Sequence, residues 1–429
     1  MSFISPDLMD QLNPEHELVI LSNTIPWDYL EEELSGFYHK NMGRPAKPVR
    51  LMVGLMILKQ MENLSDERVV DAWVANPYMQ YFCGETQFQW HYPCDPTDLT
   101  YFRKRIGEEG VQKILEVSIL LHGKKALEKE VTIDTTVQEK NITFPTDSKL
   151  HRKIIEKCRR IAQDESIPLR RSYTRTVKKL LLDLRFANHP KNRKRANKAQ
   201  RQLKTIAGRL VRELFRKLPQ DILELYKDSL GRFEAVLNQQ KKSKNKIYSL
   251  HEPDVYCISK GKEHKKVEFG SKASLVSTRD SGILVGAMGF KNNVYDGHTL
   301  DRVLNQVTEL RGKRPEVGLC DRGYRGRTRV NGTLIMVPKP PPKRATAYEK
   351  RKNRKRFRRR ASIEPIIGHL KSDHRLARNY LKGFVGDSIN LMMAAAAFNF
   401  KKLLRLLAYF FVLYFLQRFL PKQPDLQLV

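Results

Sequence analysis

The first concentrated run of β-branched residues, Val131-Thr132-Ile133-Asp134-Thr135-Thr136-Val137, reads as a strand with a carboxylate inside it, and helical patterns lie on both sides. A sheet that begins this late and is interrupted at once must be completed by strands far along the chain. Those strands are legible at Val255–Ser259, Lys266–Ser277 and Ile283–Phe290, with a Lys260-Gly261-Lys262 turn between the first two, which makes an antiparallel meander. A helical pattern over Thr299–Arg311 follows. A strand over Glu316–Cys320 then ends at a second carboxylate, Asp321, and another over Thr333–Val337 is terminated by Pro340–Pro342. This order predicts an α/β fold with acids at strand ends.

The segments outside the sheet are helical. Over the first 125 or so residues, Leu51, Leu55 and Leu58 recur at i, i+4 and i+7, and Ser65 before Asp66-Glu67 has the form of an N-cap with an acidic first turn. Short helices of this kind suit DNA end recognition or dimerisation. The stretch from His151 to Gln220 carries 22 Lys plus Arg against 5 Asp plus Glu, with Leu180, Leu184, Ile206 and Leu210 at helical spacing. A helical face so unbalanced repels itself unless a polyanion neutralises it, so it reads as a DNA-contacting insertion rather than a merely solvated surface. The domains expected are 1–125 helical, 126–149 first part of the core, 150–246 basic insertion, 247–400 remainder of the core, and 401–429 a C-terminal helix and tail.

Composition supports a nucleic-acid partner, since 79 Lys plus Arg against 47 Asp plus Glu leave a net charge of +32. Five scattered cysteines without a Cys-x2-Cys pair suggest neither a disulfide framework nor a zinc ribbon, and fit a reducing, cytoplasmic setting. No secretory signal is visible at Met1–Leu12. The apolar run Leu406–Leu416, bracketed by Arg405 and Arg418, is too short to span a membrane and reads as a buried or partner-facing helix.

A third acid stands in Phe357-x2-Arg360-x3-Glu364-x6-Lys371, directly after Lys343–Arg360, where 11 Lys plus Arg accompany one acid, Glu349. Three carboxylates without His or Cys suit a hard cation, Mg²⁺ or Mn²⁺, and a pair of such ions stabilises both the attacking and the leaving oxygen of a phosphodiester. On a helix Glu364, Gly368 and Lys371 share one face, and Pro365 is tolerated if Ser362 is the N-cap. Asp147, Asp280, Asp296, Asp301 and Asp373 read as bystanders, with Asp373 the rival to Glu364. His369 reads as structural. Gly323 and Gly326 permit a tight turn after Asp321, leaving Arg322 and Arg325 to meet backbone phosphate.

Three strings together resemble a known family. Thr132-Ile133-Asp134-Thr135-Thr136, Cys320-Asp321-Arg322-Gly323-Tyr324-Arg325-Gly326 and Ser362-Ile363-Glu364-Pro365-Ile366-Ile367-Gly368-His369-Leu370-Lys371 are similar, in this order, to bacterial insertion-sequence transposases of the DDE type. The last two match that family's Asp-Arg-Gly-Tyr and Tyr-x2-Arg-x3-Glu-x6-Lys signatures. The resemblance implies a ribonuclease-H-like mixed sheet flanked by helices, with a helical N-terminal domain and the basic insertion after the first core strand. It further implies that Asp134, Asp321 and Glu364 hold two metal ions, and that Arg360 and Lys371 hold the transposon-end strand. Phe357 departs from the signature Tyr and lacks its hydroxyl, for which Tyr348 and Tyr380 are the candidates to compensate. The partners expected are double-stranded DNA, as terminal inverted repeats and as target, and a second copy of the chain in a homodimeric complex. Two other readings are a catalytically silent DNA-binding protein of transposase descent and a metal-dependent nuclease without strand transfer.

Overall fold

The computed structural model describes residues 7–38, 46–240, 242–259, 266–339 and 344–419, with side chains to residue 408. The Lys260-Gly261-Lys262 turn and Pro340–Pro342 lie outside the described residues, as does part of Met1–Leu12. The chain divides into two compact units, one of residues 1–139 and 271–429, the other of residues 140–270.

The first unit opens with helices α1 (Leu8–Gln11), α2 (Glu17–Thr24), α3 (Trp27–Ser35), α4 (Val49–Met61), α5 (Asp66–Ala75), α6 (Pro77–Phe82) and α7 (Pro96–Leu120). Their starts are written in the sequence. Ser65 caps α5 by accepting the Arg68 N–H at 3.2 Å, and Asp95 and Asp98 form a reciprocal capping box around Pro96. Helix α7 is broken at Gly107, whose φ of 59° and ψ of −155° leave helical space. Helix α4 is buried almost all round from Leu51 to Met61, so it serves as a core element rather than an amphipathic surface helix.

The sheet then begins with β1 (Glu130–Lys140). After the other unit, the chain returns through β3 (Val267–Thr278), whose first residues belong to that unit, and continues with β4 (Leu284–Phe290), α12 (Asp296–Arg311), β5 (Val317–Leu319), β6 (Arg329–Val330) and β7 (Thr333–Met336). Helices α13 (Ala347–Arg360) and α14 (Ile363–Ser372), the two-residue β8 (Arg378–Asn379) and the long α15 (Gly383–Phe419) complete it. From the β4 edge the strands run β4-β3-β1-β5-β7-β6, antiparallel at β4-β3 and parallel at β1-β5 and β5-β7. This mixed sheet with helices against it is a ribonuclease-H-like fold. Its edge strand β4 is finished by side-chain amides: Asn399 bonds the Leu284 N–H and C=O at 2.9 and 2.8 Å, and Gln306 bonds those of Ala287 at 2.9 and 3.2 Å. Both ladders that a neighbouring strand would make are thereby imitated from α15 and α12.

The N-terminal helices share one hydrophobic core with the sheet. A buried polar network fixes that junction. Gln60 of α4 donates to the His374 carbonyl at 2.7 Å, Asn390 of α15 donates to Gln138 of β1 at 3.0 Å, and Asn379 donates to Asp387 at 2.6 Å. Groups satisfied in this way specify one docking geometry, because any slip leaves buried amides unpaired.

The second unit has its own core, built by α8 (Asp147–Asp164), α9 (Thr174–Asp183), α10 (Arg193–Lys217) and α11 (Gln220–Asn238) around Ile154, Leu203, Leu210, Leu230 and Phe233. A short hairpin pairs β2 (Tyr256–Ser259) with residues 267–270 of β3. The meander read from the sequence is therefore present. The basic residues lie on the outer helical faces, and the Lys157 amine is held below its ordinary pKa by burial and then by Arg232, Arg160 and Lys153. Burial is the larger cause, and the smaller push from these neighbouring cations is the self-repulsion expected of a cationic surface.

Candidate active site

Parallel pairing of β1 with β5 sets Glu130, Val131 and Thr132 opposite Val317, Gly318 and Leu319. Two residues further on, the same register brings Asp134 beside Asp321; Asp321 follows the carboxyl end of β5, whereas Asp134, expected at a strand end, lies within β1, which runs on to Lys140. Alternation points both side chains to one face of the sheet. Asp134 accepts the Thr135 N–H at 2.8 Å. Asp321, in extended conformation, accepts the Gly323 N–H at 2.8 Å and so caps the short turn Arg322–Tyr324.

That turn explains its glycines. A Cβ on Gly323 would meet Asp321 Oδ1 at 2.9 Å and Asp296 Oδ2 at 3.0 Å, so no side chain fits between the two carboxylates. Gly326 adopts φ of 90°, which glycine takes without strain. Between these glycines Tyr324 is fully buried, and its hydroxyl has no hydrogen-bond partner. Burial pushes this phenol well above its usual range, and Cys320, Asp134, Asp296 and Asp321 push it the same way. The neighbouring Cys320 thiol is raised too, chiefly by burial and then by Asp321 and Asp134.

Asp296, read from the sequence as a bystander, is half-buried in the first turn of α12, with Oδ1 accepting from Lys272 at 2.8 Å and from Thr135 at 2.9 Å. The signal that could have found it is local. Helix α12 starts at Asp296, four residues before Leu300, the first of its periodic apolar residues, and an acid stands in its first turn.

Glu364 arrives differently. Helix α13 has no buried residue, and three arginines of its last turns reach the core. Arg356 donates to Glu130 at 2.5 Å, Arg359 lies 3.8 Å from Asp280, and Arg360 lies 2.9 Å from Glu364 and 3.9 Å from Asp134. Arg356 and Arg360 are one helical turn apart, and Glu130 and Asp134 lie on one face of β1, so the two elements meet along matching faces. Glu130 is also held by Arg279 at 2.9 Å. Ser362 occupies the N-cap position of α14 but makes no capping bond. Its backbone is already helical because α13 runs almost directly into α14.

Arg360 thus links the sheet-borne and helix-borne acids. Glu364 itself is 63% exposed, and Lys371 is half-buried on the same helix. Phe357 is half-buried, and Arg322 and Arg325 are exposed. Asp373 is engaged elsewhere, taking Ser372 at 2.6 Å and His369 at 2.9 Å, and these bonds hold its carboxyl below the usual range. His369 is accordingly part of a local pair. Tyr348 and Tyr380 are both exposed, and Tyr380 faces the Arg375 guanidinium 5.5 Å from its ring centre.

Among the described residues, no three His, Cys, Asp or Glu side chains stand together as the ligands of one ion. The chemistry of the acids nevertheless fits a hard divalent cation, since every donor is carboxylate oxygen and a buried hydroxyl without a partner stands among them.

A family model described as Transposase domain (DUF772) matches residues 6–105, and one described as Transposase DDE domain matches residues 237–400. The chain is 44% identical over 183 residues to the uncharacterized protein ORF8 in nfe locus of Rhizobium meliloti, covering 42% of this chain and 88% of that protein. The chain belongs to the insertion-sequence DDE transposases. No solved structure matches this transposase. The DDE match includes Asp321 and Glu364 and begins after Asp134, which the β1-β5 register sets beside Asp321. Among its described residues no helix is long and apolar enough to cross a membrane.

Proposed function

We propose that this DNA transposase cuts the ends of an insertion sequence and joins them to target DNA, using Asp134, Asp321 and Glu364 to hold a pair of Mg²⁺ or Mn²⁺ ions. What supports the reading is the β1-β5 register, which sets Asp134 beside Asp321, and the Arg360 link from Asp134 to Glu364. When bound, such ions stabilise the attacking and leaving oxygens of an in-line displacement. In the first step water attacks phosphorus and the P–O3′ bond breaks, leaving a 3′ hydroxyl. In the second that hydroxyl gives up its proton and attacks a target phosphodiester, displacing the target strand's own 3′ oxygen. The chain's cations orient the strands. Arg360 exchanges a carboxylate partner for a phosphate, Lys371 holds the strand from the Glu364 face, Phe357 packs beside it, and exposed Arg322 and Arg325 grip the backbone after Asp321. The active form is a homodimer working on nucleoid DNA in the cytoplasm.

Asp134→Asn, Asp321→Asn and Glu364→Gln should each abolish Mg²⁺-dependent cleavage of a duplex carrying the element's end, while duplex binding stays near normal. Retained cleavage in any one removes that acid from the site. The same titrations, run over a range of salt, measure what the insertion adds. Replacing Lys153, Lys157 and Arg160 by Gln should flatten the slope of log K against log salt by about 0.9 for each phosphate that is no longer neutralised. An unchanged slope takes this face out of the DNA interface.

A further inference from the structure

We infer that Asp296 is a fourth carboxylate of the cation site, held beside Asp321 by Lys272 and Thr135. The inference rests on the reading of Asp134, Asp321 and Glu364 as cation ligands. Asp296 Oδ1 is fixed by two donors, Lys272 Nζ at 2.8 Å and Thr135 Oγ1 at 2.9 Å. Lys272 is only 10% exposed and also donates to the Val294 carbonyl at 2.6 Å, so the ammonium is fastened from two sides. Thr135 is the neighbour of Asp134 on β1, and its hydroxyl therefore ties Asp296 to the strand that carries the first acid.

The other oxygen decides the matter. Oδ2 lies 3.0 Å from where a Gly323 Cβ would stand, and Asp321 Oδ1 lies 2.9 Å from the same point. The two oxygens are therefore no farther apart than those distances laid end to end, with only a glycine between them. A purely structural ion pair needs no such arrangement, because Lys272 and Thr135 already occupy Oδ1. Lys272 offsets the charge of Asp296 from the Oδ1 side, and a cation between Oδ2 and Asp321 would be attracted to both carboxylates.

A second observation, independent of the acids, points to a ligand. The Tyr324 hydroxyl is completely buried and without a partner although it stands close to Asp134, Asp296 and Asp321. A buried donor left unbonded is costly. It regains a bond when a cation draws a carboxylate or a coordinated water into its reach. Asp296 thus adds a carboxylate across Gly323 from Asp321, at the turn that buries Tyr324.

The test is Mn²⁺ binding to the full-length protein without DNA, followed by the paramagnetic resonance of free Mn²⁺. Three variants are compared with the wild type. Asp296→Asn combined with Lys272→Met removes both members of the pair, so neither charge is left buried alone. It should fold, by circular dichroism and melting, and bind Mn²⁺ about 10- to 100-fold more weakly. Asp296→Glu keeps the charge for Lys272 but moves the carboxylate by one methylene. It should melt like the wild type and still lose Mn²⁺ affinity, a change that a structural pair would not produce, and it carries the test if the double variant does not fold. Wild-type Mn²⁺ affinity in a folded Asp296 variant overturns the inference. Asp321→Asn is the control for the underlying reading: if it too binds Mn²⁺ normally, the site itself is wrong, whereas loss there with none at Asp296 defeats only the fourth carboxylate.

Discussion

Asp134 and Asp321 are positioned by backbone, Glu364 by side chains, and the two halves of the site differ accordingly in how they can fail. Asp134 and Asp321 inherit their places from a ladder of paired residues, Glu130 with Val317 through Thr132 with Leu319, inside a sheet that the core covers. Shifting either acid means breaking several hydrogen bonds together. Glu364 sits on α14, whose Ile363, Ile366 and Leu370 are buried in the core, but its own carboxylate is exposed, and the preceding α13, without one buried residue, is docked by charge pairs of Arg356, Arg359 and Arg360. Glu364 is 63% exposed although Arg360 is only 15% exposed, and i,i+4 pairs open to solvent contribute only about 0.3–0.5 kcal/mol. The comparison teaches that one half is a fixed template and the other an exposed carboxylate on an anchored helix beside a charged arm, α13, and that a phosphate or a cation can re-seat that side chain and that arm at small cost.

The strongest way to break this comparison is to strike the fixed half without touching an acid. Gly323→Ala places a methyl against Asp321 Oδ1, and the carboxylate or its turn must move. Overpacking of this kind costs about 1–3 kcal/mol. If the strain falls on the Asp321 carboxylate, Mn²⁺ binding and cleavage both weaken while melting changes little. Unaltered Mn²⁺ affinity together with a lowered melting temperature would mean that the sheet half yields as readily as the arm.

A smaller effect is expected on the arm. Arg356→Ala removes one of two arginines on Glu130, leaving Arg279 in place, so a loss of about 1 kcal/mol of local docking energy is expected rather than global unfolding. Amide exchange in α13 should accelerate and cleavage should fall several-fold, with Mn²⁺ binding at Asp134 and Asp321 preserved. Exchange confined to its wild-type rate would show that α13 is held by something other than its arginines.

What is legible in the sequence follows the same division. Asp134 and Asp321 announce themselves because a β-branched or apolar run carrying a carboxylate is a local signal, and the cap at Ser65 is equally local. Asp296 reads as a bystander because its meaning depends on Lys272 and on a turn beginning at Asp321, neither of which any spacing rule connects to it. The Arg356–Glu130 pair spans 226 residues. Ser362 reads as a cap for α14 as if a loop preceded it, and the continuity of α13 into α14 removes the need. Nor does periodicity reveal that α4 is a core helix joined through Gln60 and Asn390 to β1 and α15, because a helix buried all round has no polar face to give its orientation.

The smallest expected effect concerns Phe357, where the family signature has tyrosine. Tyr348 cannot supply the missing hydroxyl from the same helix, since nine residues at 1.5 Å each put it about 13 Å away along the axis. Tyr380 lies beyond α14, against Arg375. Phe357 is half-buried one turn before Arg360, so a hydroxyl added at the ring's edge can reach water or a strand phosphate without displacing a packed neighbour. Phe357→Tyr should therefore leave melting and Mn²⁺ affinity unchanged and tighten binding to the element's end by a factor of about 2–10, as one net hydrogen bond allows. The measurement is end-duplex affinity against that for a scrambled duplex at one salt concentration. Equal gains on both would assign the hydroxyl to general backbone contact. A loss on the end duplex, with the fold intact, would mean that Phe357 packs where a phosphate does not pass, and that the arm grips the strand through Arg360 and Lys371 alone.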